Sequence, residues 1–277
     1  MKALLKAITP KPVLQFVQIK QEIRLLAKLE RRPCEASALR SNVPDFPHLD
    51  LGAEWDSVQR EIEPLQMGDK GGAVNLGDRR AIYYLTRALK TQTVLEIGTH
   101  LGASTTMFGL ALKNSGVRSP KVVTVDIQDV NGTAGAWRRL RSKHSPLSAT
   151  RALGCDFVEF VISPSVAFLN KCSMRFDLIF LDGGHEASTV YQEVPAALKL
   201  LNPGGLILLH DIYPDQRPLW SDGLVVPGPW LAIERFKKEG AKVTVKPLGA
   251  LPWPTKLNSN VTSLACLIGT TATKIPN

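Results

Sequence analysis

An acid and two glycines lie close together where an apolar, β-rich run of the sequence gives way to a helix-compatible run. Their spacing is Glu96-x-Gly98-x-x-x-Gly102. Glycine lets the backbone approach a ligand closely and take positive φ. The pattern lacks the middle glycine with which a dinucleotide fingerprint accommodates a pyrophosphate, and its carboxylate suits an ammonium group or ribose hydroxyls instead. The loop therefore predicts a nucleoside cofactor, and its candidate contacts are Glu96, Gly98, Thr99, Gly102 and Ser104.

Further candidate contacts follow the next two apolar runs. Ligands of open α/β sheets bind beyond the carboxyl ends of the strands. Asp126 ends the run that begins at Lys121, and its carboxylate could accept hydrogen bonds from both hydroxyls of a ribose. Ile127 could pack on the base, or it could be an ordinary core isoleucine. Ser163 follows the third run and is a further candidate.

Two more acids and two histidines follow the fourth and fifth apolar runs. The fourth run ends in Asp182-Gly183-Gly184-His185 and the fifth in His210-Asp211. Asp182 and Asp211 would end neighbouring strands, so we expect their carboxylates to converge above the sheet. Converging carboxylates repel each other unless a proton or a cation lies between them. An oxygen-rich site of this kind suits Mg²⁺ or another hard divalent cation.

Alternating strands and helices must position these residues. Strands are predicted at 93–98, 121–126, 157–162, 176–181 and 205–209, and helices at 78–90, 104–114, 132–143, 166–170 and 188–201. Such alternation indicates a parallel sheet covered on both faces. A helix at 230–239 precedes two directly linked strands, 241–248 and 262–269, which pair most easily as an antiparallel hairpin. The predicted fold is a Rossmann-like, doubly wound α/β fold with a mostly parallel, seven-stranded sheet and an N-terminal helical extension.

The chain changes character at about residue 77. Residues 1–77 are predicted to form a basic amphipathic helix (13–32) and an irregular connector, and residues 78–277 the main domain. Residues 1–40 contain nine Lys or Arg and three Glu, so this arm holds +6 of the net charge of +9. Basicity confined to an arm argues against nucleic acid as a partner. The helix, with Phe16, Val17, Ile23 and Leu26 at roughly helical spacing, is expected to pack on the main domain or on a second copy in a homo-oligomer. Peripheral contact with an anionic membrane is the rarer alternative.

The cysteines and the hydropathy pattern favour a cytoplasmic protein. The four cysteines form no CxxC pair and no metal-ligand spacing, which argues against disulfides and zinc. No apolar run reaches the roughly 20 residues that cross a bilayer. Lysines interrupt the first residues too often for a signal peptide.

Taken in order, the loop at 96–102, the strand-end acids and the turn at 202–205 resemble the class I S-adenosylmethionine-dependent methyltransferases over residues 93–211. The phrases at 180–185 and 209–211 resemble most closely the bacterial O-methyltransferase group that includes macrolide-sugar O-methyltransferases and cephalosporin-tailoring proteins. They are more distantly similar to catechol O-methyltransferase. The resemblance implies S-adenosyl-L-methionine as the cofactor, with Asp182 at its reacting end. It also implies that the glycine-rich stretch at 70–77, with Gly72, closes over the cofactor, although a flexible connector is the alternative. The family's adenine-binding acid after the third strand is missing, and Ser163 and Ser165 are the candidate substitutes.

The same resemblance implies the metal and catalytic residues. In both groups, acids matching Asp182 and Asp211 bind a divalent metal. His185 falls where the catechol enzymes have their catalytic lysine, and a near-neutral pKa suits a histidine to general-base work. Ile212 stands where the catechol enzymes have a metal-binding asparagine, which leaves His210 as the candidate third ligand. The alternatives are an Asp182 that only contacts the cofactor, a solvent-facing His185 and a buried His210 satisfied by backbone.

The sequence therefore predicts an enzyme, an S-adenosylmethionine-dependent methyltransferase that acts on a hydroxyl of a small molecule or a sugar, with divalent-metal assistance as a further hypothesis. A dinucleotide-dependent oxidoreductase is one alternative, disfavoured by the missing middle glycine and by Glu96. The other alternative is a non-catalytic cofactor-binding protein of the same fold that uses its basic arm to reach a partner.

Overall fold

The fold is built on one seven-stranded sheet. The computed structural model describes residues 11–67 and 72–270. The strands lie in the order β3-β2-β1-β4-β5-β7-β6, with β1–β5 parallel and β7 antiparallel to both of its neighbours. Their bounds are β1 (Thr93–Ile97), β2 (Lys121–Asp126), β3 (Val158–Ile162), β4 (Phe176–Leu181), β5 (Leu201–Leu209), β6 (Val243–Pro247) and β7 (Ala265–Gly269). The carboxyl ends of the five parallel strands therefore share one edge of the sheet.

Helices cover both faces of this sheet. The helices are α1 (Lys11–Ala27), α2 (Gly52–Ile62), α3 (Leu76–Leu89), α4 (Ala103–Ser115), α5 (Ala136–Arg139), α6 (Pro146–Ala152), α7 (Ser165–Lys171), α8 (Ala187–Lys199) and α9 (Pro227–Lys238). Apolar residues of α2, α3, α4 and α6 form one core, and those of α1, α7, α8 and α9 form the other.

Successive residues of each central strand contribute to opposite cores. Val94 and Leu178 pack with α3 and α4, whereas Leu95 and Ile179 pack with α8 and α9. All four side chains are wholly buried. Because successive strand side chains point to opposite faces and both faces are covered, these strands are continuously apolar in sequence.

The predicted fold class is confirmed, including the antiparallel C-terminal hairpin. The predicted helix at 132–143 is wrong, because only the four residues of α5 are helical there. Sequence analysis also missed α6. Ser145 caps this helix by accepting a hydrogen bond from the Ser148 backbone N–H at 3.2 Å, and Pro146 occupies its first turn. These are strong helix-start signals that the basic run before them obscured.

Two other boundaries differ from the prediction. β5 begins at Leu201, so the predicted turn at 202–205 belongs to the strand, with a register irregularity against β4. α3 begins at Leu76, so the predicted domain boundary after residue 77 falls in its first turn and stays a prediction.

Polar contacts hold α1 to the main domain. The Glu22 carboxylate accepts a hydrogen bond from the Ala187 backbone N–H at the start of α8, at 2.8 Å. Arg235 of α9 donates to the carbonyl oxygens of Leu26 and Leu29, the latter at 2.7 Å. Glu22 of α1 thereby caps the start of α8, and Arg235 of α9 caps the carboxyl end of α1.

The predicted apolar face of α1 is only partly packed. Leu26 is buried, but Phe16, Val17 and Ile23 are about half exposed, so their expected packing on the main domain is wrong. A second copy or a membrane surface on this face stays a prediction. Residues 1–10 of the basic arm and residues 70–71 of the glycine-rich stretch lie outside the described residues. Within 11–67 and 72–270, no helix is long and apolar enough to cross a bilayer.

Candidate active site

A cavity of about 700 Å³ opens at the edge of the sheet where the parallel strands end. Its walls are the loops that follow β1, β2, β3 and β4, together with residues 72–74. The sequence-predicted site residues that line it are Gly72, Gly98, Thr99, Ser104, Asp126, Ile127, Ser163, Asp182 and His185. Glu96, Gly102, His210 and Asp211 lie outside this lining.

Gly98 carries the turn after β1 with a φ of +98°. Its N–H donates to the Val125 carbonyl oxygen at 2.8 Å. A Cβ at this position would lie 2.1 Å from the carbonyl oxygen of Asp182, far inside van der Waals contact. The ends of β1 and β4 therefore approach each other as only glycine allows, which confirms the need for glycine predicted from the loop.

Gly102 has a structural role at the start of α4, and its predicted contact with a cofactor stays a prediction. It precedes α4 with a φ of +73°, and its carbonyl oxygen accepts the Thr106 N–H at 2.9 Å. A Cβ there would lie 2.8 Å from Cβ of Pro146. The glycine thus lets the chain enter α4 beneath the start of α6.

Glu96 lies beneath the glycine loop and does not reach the cavity. Its side chain is wholly buried, and it accepts hydrogen bonds from the hydroxyls of Ser104, Thr105 and Thr124. Thr99 extends the network, with its hydroxyl 2.6 Å from that of Thr124. In this arrangement Glu96 does not line the cavity, so its direct contact with a cofactor stays a prediction. The carboxylate instead ties the loop and the start of α4 to β2.

The burial of Glu96 should make stability depend on pH. Burial raises the pKa of Glu96 from 4.5 to about 7, although three hydroxyl donors oppose the shift. A folded-state pKa above the unfolded one gives stability that is complete below about pH 4.5 and lost as the pH rises to about 7. We expect Glu96→Gln to gain stability relative to the wild type across this window, by about 3 kcal/mol at ~1.4 kcal/mol per pKa unit. Urea unfolding at pH 5, 6, 7 and 8 measures the difference.

Glu54→Gln is the matched control for this experiment. Burial alone would raise the pKa of Glu54, but hydrogen bonds from Arg87 and Tyr83 outweigh it and hold the pKa below its usual value. Stability from such a group is complete above its unfolded pKa of about 4.5 and is lost only as the pH falls below that value, so the Glu54→Gln difference should stay constant between pH 5 and pH 8. A Glu96→Gln difference that does not vary with pH would contradict the raised pKa.

Asp126 and Ile127 face the cavity in a way that suits a nucleoside. The two carboxylate oxygens of Asp126 accept the backbone N–H groups of His100 at 3.0 Å and Gln128 at 2.9 Å. Each oxygen keeps a second lone pair for a ribose hydroxyl. Ile127 is 68% exposed, so its interpretation as a core isoleucine is wrong. An exposed apolar side chain beside a cavity suits the face of a base.

His100 is a cavity residue that sequence reasoning missed. Its φ of +47° carries the loop around Gly98, and burial lowers the pKa of its imidazole, against the pull of Asp126. Its Nδ1 is buried without a hydrogen-bond partner among the residues described. The only sequence signal was its place between the two glycines. Opposite this loop, Ser163 lines the cavity and its hydroxyl donates to the Pro164 carbonyl oxygen at 3.1 Å.

A cluster of three side chains continues from the cavity. Asp182, His185 and Asp211 each offer one ligand atom, and these atoms lie within 4.8 Å of one another. Nε2 of His185 is 3.6 Å from the nearer carboxylate oxygen of Asp211. A divalent cation binds such atoms at about 2.0–2.6 Å, so small side-chain rotations would bring all three into its reach. The expected convergence of Asp182 and Asp211 is therefore present, with His185 as the third member.

His210 lies behind this cluster, between two carboxylates. Its Nδ1 is 2.9 Å from Oδ1 of Asp182, and its Nε2 is 3.4 Å from Oδ2 of Asp78. Burial opposes the charged form, but Asp182, Asp211 and Asp78 outweigh it and raise the pKa of His210 well above its usual value. An imidazole that donates from both nitrogens has no lone pair for a cation. The cluster of possible ligand atoms among the described residues does not include His210, so its role as a metal ligand stays a prediction. Its interpretation as a histidine satisfied by backbone is wrong, because its ring contacts are carboxylates.

Comparison with known proteins places this site in context. Residues 95–212 match a family model described as a methyltransferase domain. This range contains the glycine loop, Asp126 and all three members of the acid–histidine cluster.

Solved methyltransferase structures share the fold. The O-methyltransferase TomG of Streptomyces achromogenes, involved in tomaymycin synthesis and determined with S-adenosylmethionine, aligns with a TM-score of 0.52 and 16% identity over 93% of this chain and 99% of its own. An O-methyltransferase from Bacillus cereus in complex with S-adenosylhomocysteine gives 0.51 and 17%, over 79% and 99%. A Podospora anserina methyltransferase bound to S-adenosylhomocysteine gives 0.51 and 18%, over 83% and 91%.

Proposed function

We propose that this chain, whose residues 95–212 match a methyltransferase-domain family model, is an S-adenosylmethionine-dependent methyltransferase that transfers the methyl group to a hydroxyl oxygen of a small molecule or a sugar. One observation carries the proposal. The nucleoside cavity and the Asp182–His185–Asp211 cluster meet at the same edge of the sheet, and Asp182 and His185 belong to both. A methyl donor in the cavity would therefore lie beside groups that can receive a proton.

The lining residues support one orientation of the cofactor. Its ribose would lie at Asp126, its base along Ile127 and Ser163, and its reacting end at Asp182. Bound there, the cofactor supplies a methyl group on a positively charged sulfonium. The negative charge of Asp182 suits the cationic end of such a ligand, and Asp126 is placed to accept hydrogen bonds from ribose hydroxyls.

Two modes of proton removal fit His185 and Asp211. Transfer to a hydroxyl requires alignment with the donor and loss of the hydroxyl proton. Without a cation, the half-exposed His185, oriented by Asp211, takes this proton as a general base. Asp182, His185 and Asp211 would instead hold a divalent cation, which would supply positive charge that lowers the pKa of the acceptor hydroxyl. A mixed carboxylate and imidazole set suits Mn²⁺ better than Mg²⁺, which prefers oxygen ligands.

Removal of divalent cations distinguishes these modes. If a cation assists, we expect chelation to lower methyl transfer by about 10-fold or more, with Mn²⁺ restoring it better than Mg²⁺. Binding of S-adenosylhomocysteine, measured by calorimetry on the same chelated sample, should stay unchanged and is the control. Unchanged turnover after chelation, together with full activity of Asp211→Ala, would contradict both the metal site and the orienting role of Asp211, and would leave His185 as the base without it.

The hydroxyl acceptor is tested by product analysis. ¹³C-methyl-labelled S-adenosylmethionine is incubated with the protein and a panel of hydroxylated small molecules and sugars. A labelled methoxy carbon in the ¹³C spectrum of a product supports the proposal. If the label appears only on a nitrogen or a sulfur atom, the proposed transfer to a hydroxyl is wrong and the protein is an N- or S-methyltransferase.

A further inference from the structure

The start of α3 is bound to the cavity wall by side chains of its first turn. Asn75 and Asp78 hydrogen-bond to each other twice: the Asn75 side-chain oxygen accepts the Asp78 backbone N–H at 3.0 Å, and its Nδ2 donates to Oδ2 of Asp78 at 2.7 Å. Arg79 donates to the carbonyl oxygens of Val74 at 2.7 Å and Met67 at 2.9 Å. Because Val74 lines the cavity, these hydrogen bonds tie the first turn of α3 to the cavity wall.

The oxygen of Asp78 that accepts from Asn75 also lies near His210, just after the end of β5. The side chain of Asp78 is wholly buried, and its Oδ2 lies 3.4 Å from Nε2 of His210. The other nitrogen of His210 is 2.9 Å from Asp182, and the ring packs edge-on against Phe180. Hydrogen bonds at both nitrogens and this aromatic contact leave the imidazole one orientation. A continuous polar chain thus joins Asp78, on the cavity-wall side, to Asp182.

We propose that Asp78 is a positioning residue, which acts through His210 to fix the orientation of the Asp182 carboxylate. This chain of hydrogen bonds connects the segment 72–75 to Asp182, which would face the reacting end of the cofactor. The kinetic consequence rests on the proposed methyl transfer, whereas the hydrogen-bond chain exists independently of any reaction. Removal of a residue that hydrogen-bonds to a metal ligand, without touching the metal itself, typically lowers activity or metal affinity by about 10–100-fold.

A double-mutant cycle tests whether Asp78 acts through His210. We expect Asp78→Asn to lower kcat by about 10–100-fold, with the KM for the acceptor and the Kd for S-adenosylhomocysteine changed by no more than about threefold. The double variant Asp78→Asn/His210→Gln should have the same kcat as His210→Gln alone. Without His210, Asp78 has no contact through which to affect Asp182. Effects that multiply in the double variant would overturn the proposal.

Spectroscopy tests the same chain without turnover. The protein has five histidines, so ¹⁵N-histidine labelling gives a simple spectrum in which the His210→Gln variant identifies the His210 signals. Asp78→Asn should shift both ring N–H signals of His210, including the Nδ1–H that faces Asp182. An unchanged Nδ1–H signal overturns the coupling even if the enzyme is active. Shifted signals in a protein that transfers no methyl group would uphold the coupling and refute the proposed function.

Glu54→Gln is the control for general loosening of α3. Glu54 of α2 holds the other side of this helix through hydrogen bonds from Tyr83 and Arg87, the latter at 2.7 Å. This variant should lower the melting temperature without moving kcat or the His210 signals. An equal loss of kcat in Glu54→Gln would mean that Asp78 acts through helix stability, which overturns its positioning role.

Discussion

Replacing Asp182 by asparagine is expected to lower the kcat of methyl transfer by about 10²–10³-fold, the usual effect of removing one group that stabilises charge at a reacting centre. Asp182 follows β4, is held by its backbone N–H to the Ile97 carbonyl oxygen at 2.9 Å, and lines the cavity. Asparagine keeps the volume of the side chain and loses its charge. The negative charge facing the reacting end then disappears, and His210 loses the anionic partner of its Nδ1. Steady-state kinetics at saturating cofactor measures the change.

Asp177→Asn provides a control on the same strand. Asp177 lies near the amino end of β4, where its carboxylate accepts the backbone N–H groups of Gln92 at 2.8 Å and Thr93 at 2.9 Å. Its replacement should lower the melting temperature because the start of β1 loses an anchor, while kcat stays within about twofold. Full activity of Asp182→Asn would contradict the placement of Asp182 at the reacting end.

Gly98→Ala is expected to abolish cofactor binding and to destabilise the protein by at least about 3 kcal/mol. The new Cβ would lie 2.1 Å from the Asp182 carbonyl oxygen, in a backbone conformation with a φ of +98°. To relieve this contact the ends of β1 and β4 must separate, and both lie in the cavity wall. Thermal unfolding and calorimetric titration with S-adenosylhomocysteine give the two effects separately.

The control for this variant is Gly116→Ala. Gly116 follows α4 with a φ of +62°, and a Cβ there would meet no atom within 4 Å. Gly116→Ala therefore measures how much positive φ alone lowers the free energy of unfolding, about 1 kcal/mol. The additional loss in Gly98→Ala is then due to the contact with Asp182. Cofactor binding should be unaffected. If Gly98→Ala behaves like Gly116→Ala, the close approach of β1 and β4 does not matter for the site.

The parts of the site that follow directly from strand order could be predicted from the sequence. Asp126, Asp182 and Asp211 each follow a continuously apolar run, and a parallel sheet necessarily brings such positions to one edge. The need for glycine at Gly98 followed equally from local backbone geometry. For Ile127 the sequence left both an exposed and a core position open, and the structure shows the exposed one.

The roles that depend on packing between distant segments could not be predicted. Glu96 has the residue type of a ligand contact, but three hydroxyls from α4 and β2 enclose it. His210 and His185 are both histidines at strand ends. The ring of His210 lies between Asp182 and Asp78, which is 132 residues away in the chain, whereas His185 forms the cluster with Asp182 and Asp211. No local pattern in the sequence encodes that choice.

Calorimetric titration of the folded protein with S-adenosylhomocysteine tests the central claim most directly. We expect saturable binding with one site per chain, lost in Gly98→Ala and weakened at least about 10-fold in Asp126→Ala, which removes the carboxylate expected to hold two ribose hydroxyls. A parallel titration with NADH should give no comparable heat, because the loop lacks the glycine that accommodates a pyrophosphate. Absence of S-adenosylhomocysteine binding by folded protein, or tight binding of NADH in its place, would contradict the assignment of the cavity.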